Sequence, residues 1–218
     1  MFYFDFFSVW QGTYWMGAGR TYAGGWRRSL RHGVGTELWP NGDRFEGDFK
    51  DGKFHGSGTY LTRGGKYVGE FVDGRKEGQG KMTWTKNGHV YEGGWKGGRM
   101  HGSGKYTKPD MSLYEGEWKD HKRHGKARSN RPIVFSRCMF HTAANWDSRA
   151  RVRLLLLYRQ GMALQPNGDK YDGEWEANKM HGVGTYRWPN GRWRDGQWRN
   201  GERVRWLTEE RIGGTRRK

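Results

Sequence analysis

Tyr91-Glu92-Gly93-Gly94-Trp95-Lys96-Gly97-Gly98-Arg99-Met100-His101-Gly102-Ser103-Gly104 is a phrase that the chain keeps repeating. Its pattern is Y-x-G-x-W-x-x-G-x-x-H-G-x-G. Aligned on the first aromatic, copies begin at Tyr22, Phe45, Tyr67, Tyr91, Tyr114 and Tyr171. The spacings are 23, 22, 24, 23 and 57 residues, and a partial seventh copy starts at Arg194, 23 residues after Tyr171. A fixed period of this length marks a stack of supersecondary units.

Each copy reads as one β-hairpin. Side chains alternate along a strand, so Tyr91, Gly93 and Trp95 share a face. Lys96 to Arg99 is a turn, and His101 to Tyr106 is the return strand. A second turn follows at Pro40-Asn41-Gly42, Asn87-Gly88, Pro166-Asn167-Gly168 and Pro189-Asn190-Gly191. Glycine weakens a strand interior, so its fixed placement needs a reason. Without a Cβ, a glycine lets a neighbouring aromatic ring lie across bare backbone. The repeat positions are the first aromatics Tyr22, Phe45, Tyr67, Tyr91, Tyr114 and Tyr171. Two residues on come Gly24, Gly47, Gly69, Gly93, Gly116, Gly173 and Gly196. Two further on come Trp26, Phe49, Phe71, Trp95, Trp118, Trp175 and Trp198. All of these read as the packing of the repeat. One hairpin cannot stand alone, but stacked hairpins can.

The repeated phrase resembles the MORN (membrane occupation and recognition nexus) repeat. The resemblance implies an all-β fold, a single elongated, twisted, antiparallel sheet of successive hairpins. It also implies settings in cytoskeletal, flagellar or membrane-junction scaffolds, or in the front part of phosphatidylinositol-phosphate kinases and a lysine methyltransferase. The copies depart from the pattern in places. Ser29 stands for a turn glycine, Glu77 for the histidine, and Met111 for a loop glycine. In the seventh copy Arg205 and Leu207 replace the H-G-x-G half, so the regular stack is expected to end near residue 201.

The organisation follows in order. Residues 1–21 are an aromatic segment or half repeat, and 22–126 hold five copies. Residues 161–201 resume the repeat, and 202–218 form a basic tail. Thr208-Glu209-Glu210-Arg211 gives that tail helix-start character, so either a short capping helix or a disordered end is expected there. Removing 127–160, 34 residues, turns the spacing of 57 into 23 and joins His124-Gly125-Lys126 to Gly161. Residues 127–160 therefore read as a basic, irregular insertion within one repeat. It is a lineage-specific loop, unspliced sequence, or a basic-hydrophobic membrane loop.

Hydrophobic residues make up 33% of the 218 and mean hydropathy is −1.11, too polar for a thick globular core. The 37 glycines and 13 tryptophans fit a thin sheet whose aromatics supply the buried area. A single cysteine, Cys138, excludes a disulfide framework within the chain and points to a reducing, cytoplasmic setting. No run approaches the roughly 20 apolar residues of a spanning helix. The aromatic start Met1 to Phe7 lacks the features of a signal peptide.

The net charge is +17, but it is unevenly placed. Residues 22–127 carry +7 over five copies and 166–189 carry −1, whereas 128–165 carry +6 and 190–218 carry +5. Anionic-partner contacts are thus expected at the end of the chain, at Arg211, Arg216, Arg217 and Lys218. RNA binding through basic and aromatic residues is a weaker reading.

His32, His55, His101, His124 and His181 share one slot in the repeat, but ligands one hairpin apart are too far apart to share a zinc ion. A bond to a turn backbone is the expected role. Gly47 to Lys53 mimics a phosphate-binding loop, yet Phe54 replaces the required Ser or Thr and no helix follows. Glu92, Glu115, Glu117, Asp172 and Glu174 read as solubility on the solvent side. Trp39, Trp84 and Trp188 read as solvent-face contacts or as cross-strand cover. No catalytic residue, cofactor or metal is assigned. The expected function is a non-catalytic scaffold binding protein partners, with self-association, at the cytoskeleton, the cilium or a membrane periphery. The alternative is an anionic phospholipid module.

Overall fold

The computed structural model describes residues 10–126 and 161–212. The insertion at 127–160 and the basic end at Arg216, Arg217 and Lys218 lie outside them. The described residues are all β, with strands and no helix. The chain divides into two compact units, Met1–Pro109 with Lys119–His121, and Asp110–Trp118 with Lys122–Lys218.

In the first unit, sequence neighbours pair antiparallel. These are β1 (Trp10–Met16), β2 (Arg20–Arg27), β3 (Leu30–Leu38), β4 (Arg44–Lys50), β5 (Lys53–Thr62), β6 (Gly65–Val72), β7 (Arg75–Trp84), β8 (Val90–Lys96) and β9 (Arg99–Thr107). Strand β1 supplies a half repeat before Tyr22, with Tyr14 opposite Tyr22.

The glycines align in a row across the strands. Gly12, Gly24, Gly35, Gly47, Gly58, Gly69, Gly80, Gly93 and Gly104 are successive register partners. The first aromatic of each copy folds over this row. A Cβ at Gly58 would stand 2.6 Å from Phe45 Cζ, closer than packed atoms come. The tyrosine hydroxyl then reaches past the glycine, as Tyr22 Oη donates to the Gly25 carbonyl at 2.9 Å and Tyr91 Oη to that of Gly94 at 2.9 Å. Second aromatics meet these rings edge to face, with Tyr22–Phe49 centroids 4.9 Å and Tyr67–Trp95 centroids 5.2 Å apart. Such pairs contribute about 0.5–1.5 kcal/mol beyond their buried area. The core is therefore one side of a thin layer, closed by its own rings.

Two turn types alternate. Turns after the outgoing strands have positive φ at both central residues, as at Asp51 (47°) and Gly52 (81°), which is the signature of the type I′ hairpin. Ser29 adopts the same geometry at φ 60°. Most of the opposite turns are Asx turns, in which Asn41 Oδ1 accepts the Asp43 N–H at 3.0 Å, whereas Arg63 and Gly64 alone join β5 to β6.

In the second unit the strands are β10 (Leu113–Lys119), β11 (Lys122–Lys126), β12 (Gly161–Leu164), β13 (Lys170–Glu176), β14 (Lys179–Arg187), β15 (Arg192–Arg199), β16 (Glu202–Trp206) and β17 (Arg211–Ile212). Strands β11 and β12 both pair with β13 in one continuous register. Gly125 faces Trp175 and Lys126 faces Glu174, then Gly161 faces Gly173 and Met162 faces Asp172. The chain thus leaves and re-enters the sheet at adjacent positions.

The tail corrects the sequence reading. No helix forms in residues 202–212, and the stack does not end at 201. Strand β16 completes the seventh hairpin against β15, and β17 pairs with Arg192 and Trp193. The glycine row Gly161, Gly173, Gly184, Gly196 ends on Trp206, whose ring packs over Gly196 and lies 5.9 Å from that of Trp198. Thr208, the expected helix start, instead accepts the Asp195 N–H on its hydroxyl at 3.0 Å. Non-local pairing outweighs a local capping preference.

Candidate interaction surfaces

The sequence-predicted repeat positions are placed inside the layer. Tyr22, Phe45, Tyr67, Tyr91, Tyr114 and Tyr171 are buried, as are Phe49, Phe71, Trp95, Trp118, Trp175 and Trp198, and Trp26 is half-buried. Burial pushes the Tyr22 hydroxyl up to about 12, with the Arg31 guanidinium opposing. Burial likewise raises Tyr67, Tyr91, Tyr114 and Tyr171. These rings hold the sheet together and present nothing to a partner.

A further row closes over them. Arg31, Phe54, Lys76, Met100, Arg123 and Met180 precede the histidine slot in successive copies. Phe54 stacks on Phe45 at 3.7 Å. Lys76 Nζ sits 4.7 Å from the Tyr67 ring centre and 4.9 Å from that of Trp95, and burial lowers its pKa. Arg123 lies over Trp175 at 4.3 Å. Arg31 pairs with the fully buried Glu37, which also holds Arg20.

Trp39, Trp84 and Trp188 belong to this same face. Trp39 packs on Phe54 and Tyr60 at 6.1 and 5.8 Å, and Trp84 and Trp188 meet Tyr106 and Tyr186 at 5.8 and 5.3 Å. They are cross-strand cover and do not lie on the solvent face.

The opposite face carries the histidine slot and the carboxylates. Glu77, the departure from histidine, accepts the turn N–H of Gly97 at 2.8 Å. Nδ1 of His32, His55 and His101 is buried without a hydrogen-bond partner, so the expected bond to a turn backbone belongs to the longer glutamate. Asp48, Glu70, Glu117 and Glu174 stand against Gly56, Gly78, Gly125 and Gly182, all at positive φ in the return strand. The register shifts there, freeing backbone groups. Asp48 accepts the Ser57 N–H at 2.9 Å and Glu70 the Gln79 N–H at 2.8 Å. Glu117 and Glu174 thus occupy bulge positions, a role the sequence reading assigned only to solubility. The signal was present: each lies between the glycine and the second aromatic.

Two positively charged surfaces stand out. In the first unit, the type I′ turns carry Arg27, Arg28, Lys50, Lys53, Arg75, Lys96, Arg99 and Lys119 against Asp51, Asp73 and Asp120. Each turn is pinned to the hairpin before it: Gly52, Gly74 and Gly98 donate their N–H groups to the carbonyls of Arg31, Phe54 and Lys76 at 2.8–2.9 Å. In the second unit, Lys170, Arg187, Trp193 and Arg211 are register partners across β13, β14, β15 and β17. Arg187 and Arg211 lie 5.7 and 5.0 Å from the Trp193 ring centre, and Ile212 beside them is 70% exposed. Of the predicted anionic contacts, only Arg211 falls within the described residues, and it is exposed.

A family model for the MORN repeat matches residues 22–44, 45–66, 67–89, 91–110, 114–128, 171–191 and 195–204, well over half of the chain. The chain belongs to the MORN-repeat family. The seventh match reaches into β16, in agreement with the hairpin found there. A comparison with curated proteins returned no match. Among the described residues, no helix is long and apolar enough to cross a membrane, and no group of three or more His, Cys, Asp or Glu side chains is placed to hold a metal ion.

Proposed function

We propose that this MORN-repeat chain is a non-catalytic scaffold that binds protein partners, in a cytoskeletal, ciliary or membrane-peripheral setting. The observation that carries the reading is the division of labour within the layer. The recurring aromatics and glycines are occupied in packing, while the turn edge carries a row of charged side chains, most of them exposed, on turns whose backbone is held by hydrogen bonds. A fixed row of spaced charges suits recognition of another macromolecule better than chemistry on a small substrate. The test is in-cell crosslinking of the full chain, with reconstitution of each recovered protein as a stoichiometric complex. Recovery of the chain alone would sink the reading.

A second reading is favoured by the Lys170, Arg187, Trp193 and Arg211 row with Ile212. Cations beside a tryptophan and an exposed aliphatic side chain suit an anionic membrane surface. The variant Lys170→Glu/Arg211→Glu should then lose co-sedimentation with phosphoinositide vesicles.

A further inference from the structure

We propose that the type I′ turn edge of the first unit is a docking surface for an acidic helical segment of a protein partner. The proposal rests on the scaffold reading and names the surface and the partner's chemistry. Lys53 pairs with Asp73 at 3.9 Å and Arg99 with Asp120 at 3.7 Å, joining neighbouring turns, and Asp51 faces His32 at 3.8 Å. Among the described residues no ion pair neutralises Arg27, Arg28, Lys50, Arg75, Lys96 or Lys119. The edge therefore keeps a surplus of cations even when Glu77, whose carboxylate sits on the Gly97 turn N–H, is counted with the three aspartates.

Spacing selects the partner. Successive turns are two strands apart, about 9.5 Å. The N–H···O=C bonds from each turn to the preceding hairpin hold that interval, so the turn backbones need no further ordering on binding. An α-helix advances about 10.5 Å in seven residues. Carboxylates repeated at seven-residue intervals would thus meet one turn each. An extended acidic chain repeats a face about every 6.7 Å and falls out of step. A flat anionic membrane fits less well than a rod. The edge is a line, and Asp48 and Glu70 flank it on the bulge side, where a plane of phosphates would meet them. Leu30 and Val72, 45% and 44% exposed beside these turns, offer apolar contact to the helix stem.

The probe is a fluorescein-labelled synthetic helix of about three heptads with glutamate at one position per heptad. Its affinity for the full chain is read by anisotropy at low and near-physiological salt. Lys50→Glu/Arg75→Glu/Lys96→Glu should weaken binding about tenfold or more. Lys170→Glu/Arg211→Glu should leave it unchanged. The milder Lys50→Gln/Arg75→Gln/Lys96→Gln, with tryptophan-fluorescence melts of every variant, separates lost binding from lost folding. Three results overturn the assignment: wild-type affinity in both triple variants, equal binding of a proline-broken peptide of the same charge, or loss of phosphatidylserine-vesicle binding in the triple variants while the peptide stays bound. If the wild type holds the peptide but recruits no cellular protein, the scaffold reading fails and the edge stands. If cellular partners stay on the triple variants, the scaffold reading stands and the edge assignment fails.

Discussion

Strand β3 and the pair β11 and β12 do the same work with different connectivity. In β3, Gly33, Val34 and Gly35 face Phe49, Asp48 and Gly47 without a break. In the second unit Gly125, Lys126 and Gly161 face Trp175, Glu174 and Gly173, although 34 residues separate Lys126 from Gly161. The peptide bond between Val34 and Gly35 has no counterpart there, yet the register survives. The difference teaches that each strand position is specified by its row across the sheet. Continuity along the chain matters less.

The sharpest way to break that comparison is to fill the row. Gly35→Val in the first unit and Gly184→Val in the second both thrust a side chain into a tyrosine ring, Tyr22 or Tyr171. Each should cost about 3 kcal/mol or more in urea denaturation, equally in the unit without the split strand and in the unit that holds it. Tolerance of either would mean the row is not what specifies the sheet.

Alkaline titration tests the same tyrosines. Burial raises Tyr22 from 10.0 to about 12, so the folded state keeps a proton that the unfolded chain releases. The contribution is fully present below pH 10 and is lost as pH rises towards 12. Up to ~1.4 kcal/mol per pH unit per tyrosine should disappear in that window. Tyr22→Phe should lower the slope of stability against pH, measured by denaturation between pH 9 and about 11.5. An unchanged slope would remove Tyr22 from the account.

The bulge carboxylates sharpen the comparison further. Glu70→Ala leaves the Gln79 N–H without its acceptor and should cost about 1–2 kcal/mol, whereas Glu92→Ala, on the open face, should cost little. Met111 stands at φ 61°, where other copies place Gly42, Gly88, Gly168 and Gly191. Met111→Gly should stabilise by about 1 kcal/mol, seen as a rise in melting temperature. The smallest effect belongs to the excision. A chain with Lys126 joined directly to Gly161 should keep its far-ultraviolet spectrum and its melting temperature within a few degrees. A loss of cooperativity would show that the split strand depends on the intervening residues.

Much of this was legible in the sequence, because the repeat writes each structural position several times over. Phe45 and Tyr171 announce the same slot, and the match of Gly161–Tyr171 to Gly35–Phe45 is visible before any coordinate. What stayed hidden depends on which residues face one another across strands. Thr208 looks like a helix start until Asp195 is seen beside it. Glu174 looks like a solvent carboxylate until Gly182 lies under it. The charged edge is likewise scattered at Arg27, Lys50, Arg75 and Lys96 in the linear order, and only the hairpin period brings these into line.

The bonds between successive turns have a consequence for inheritance. Each hairpin leans on its predecessor through the same N–H and carbonyl, whatever the side chains are. Losing one internal copy would sever two such links and let the flanking copies form one in their place. Size in this lineage could then drift in whole steps, like beads added to a string, with every intermediate able to fold.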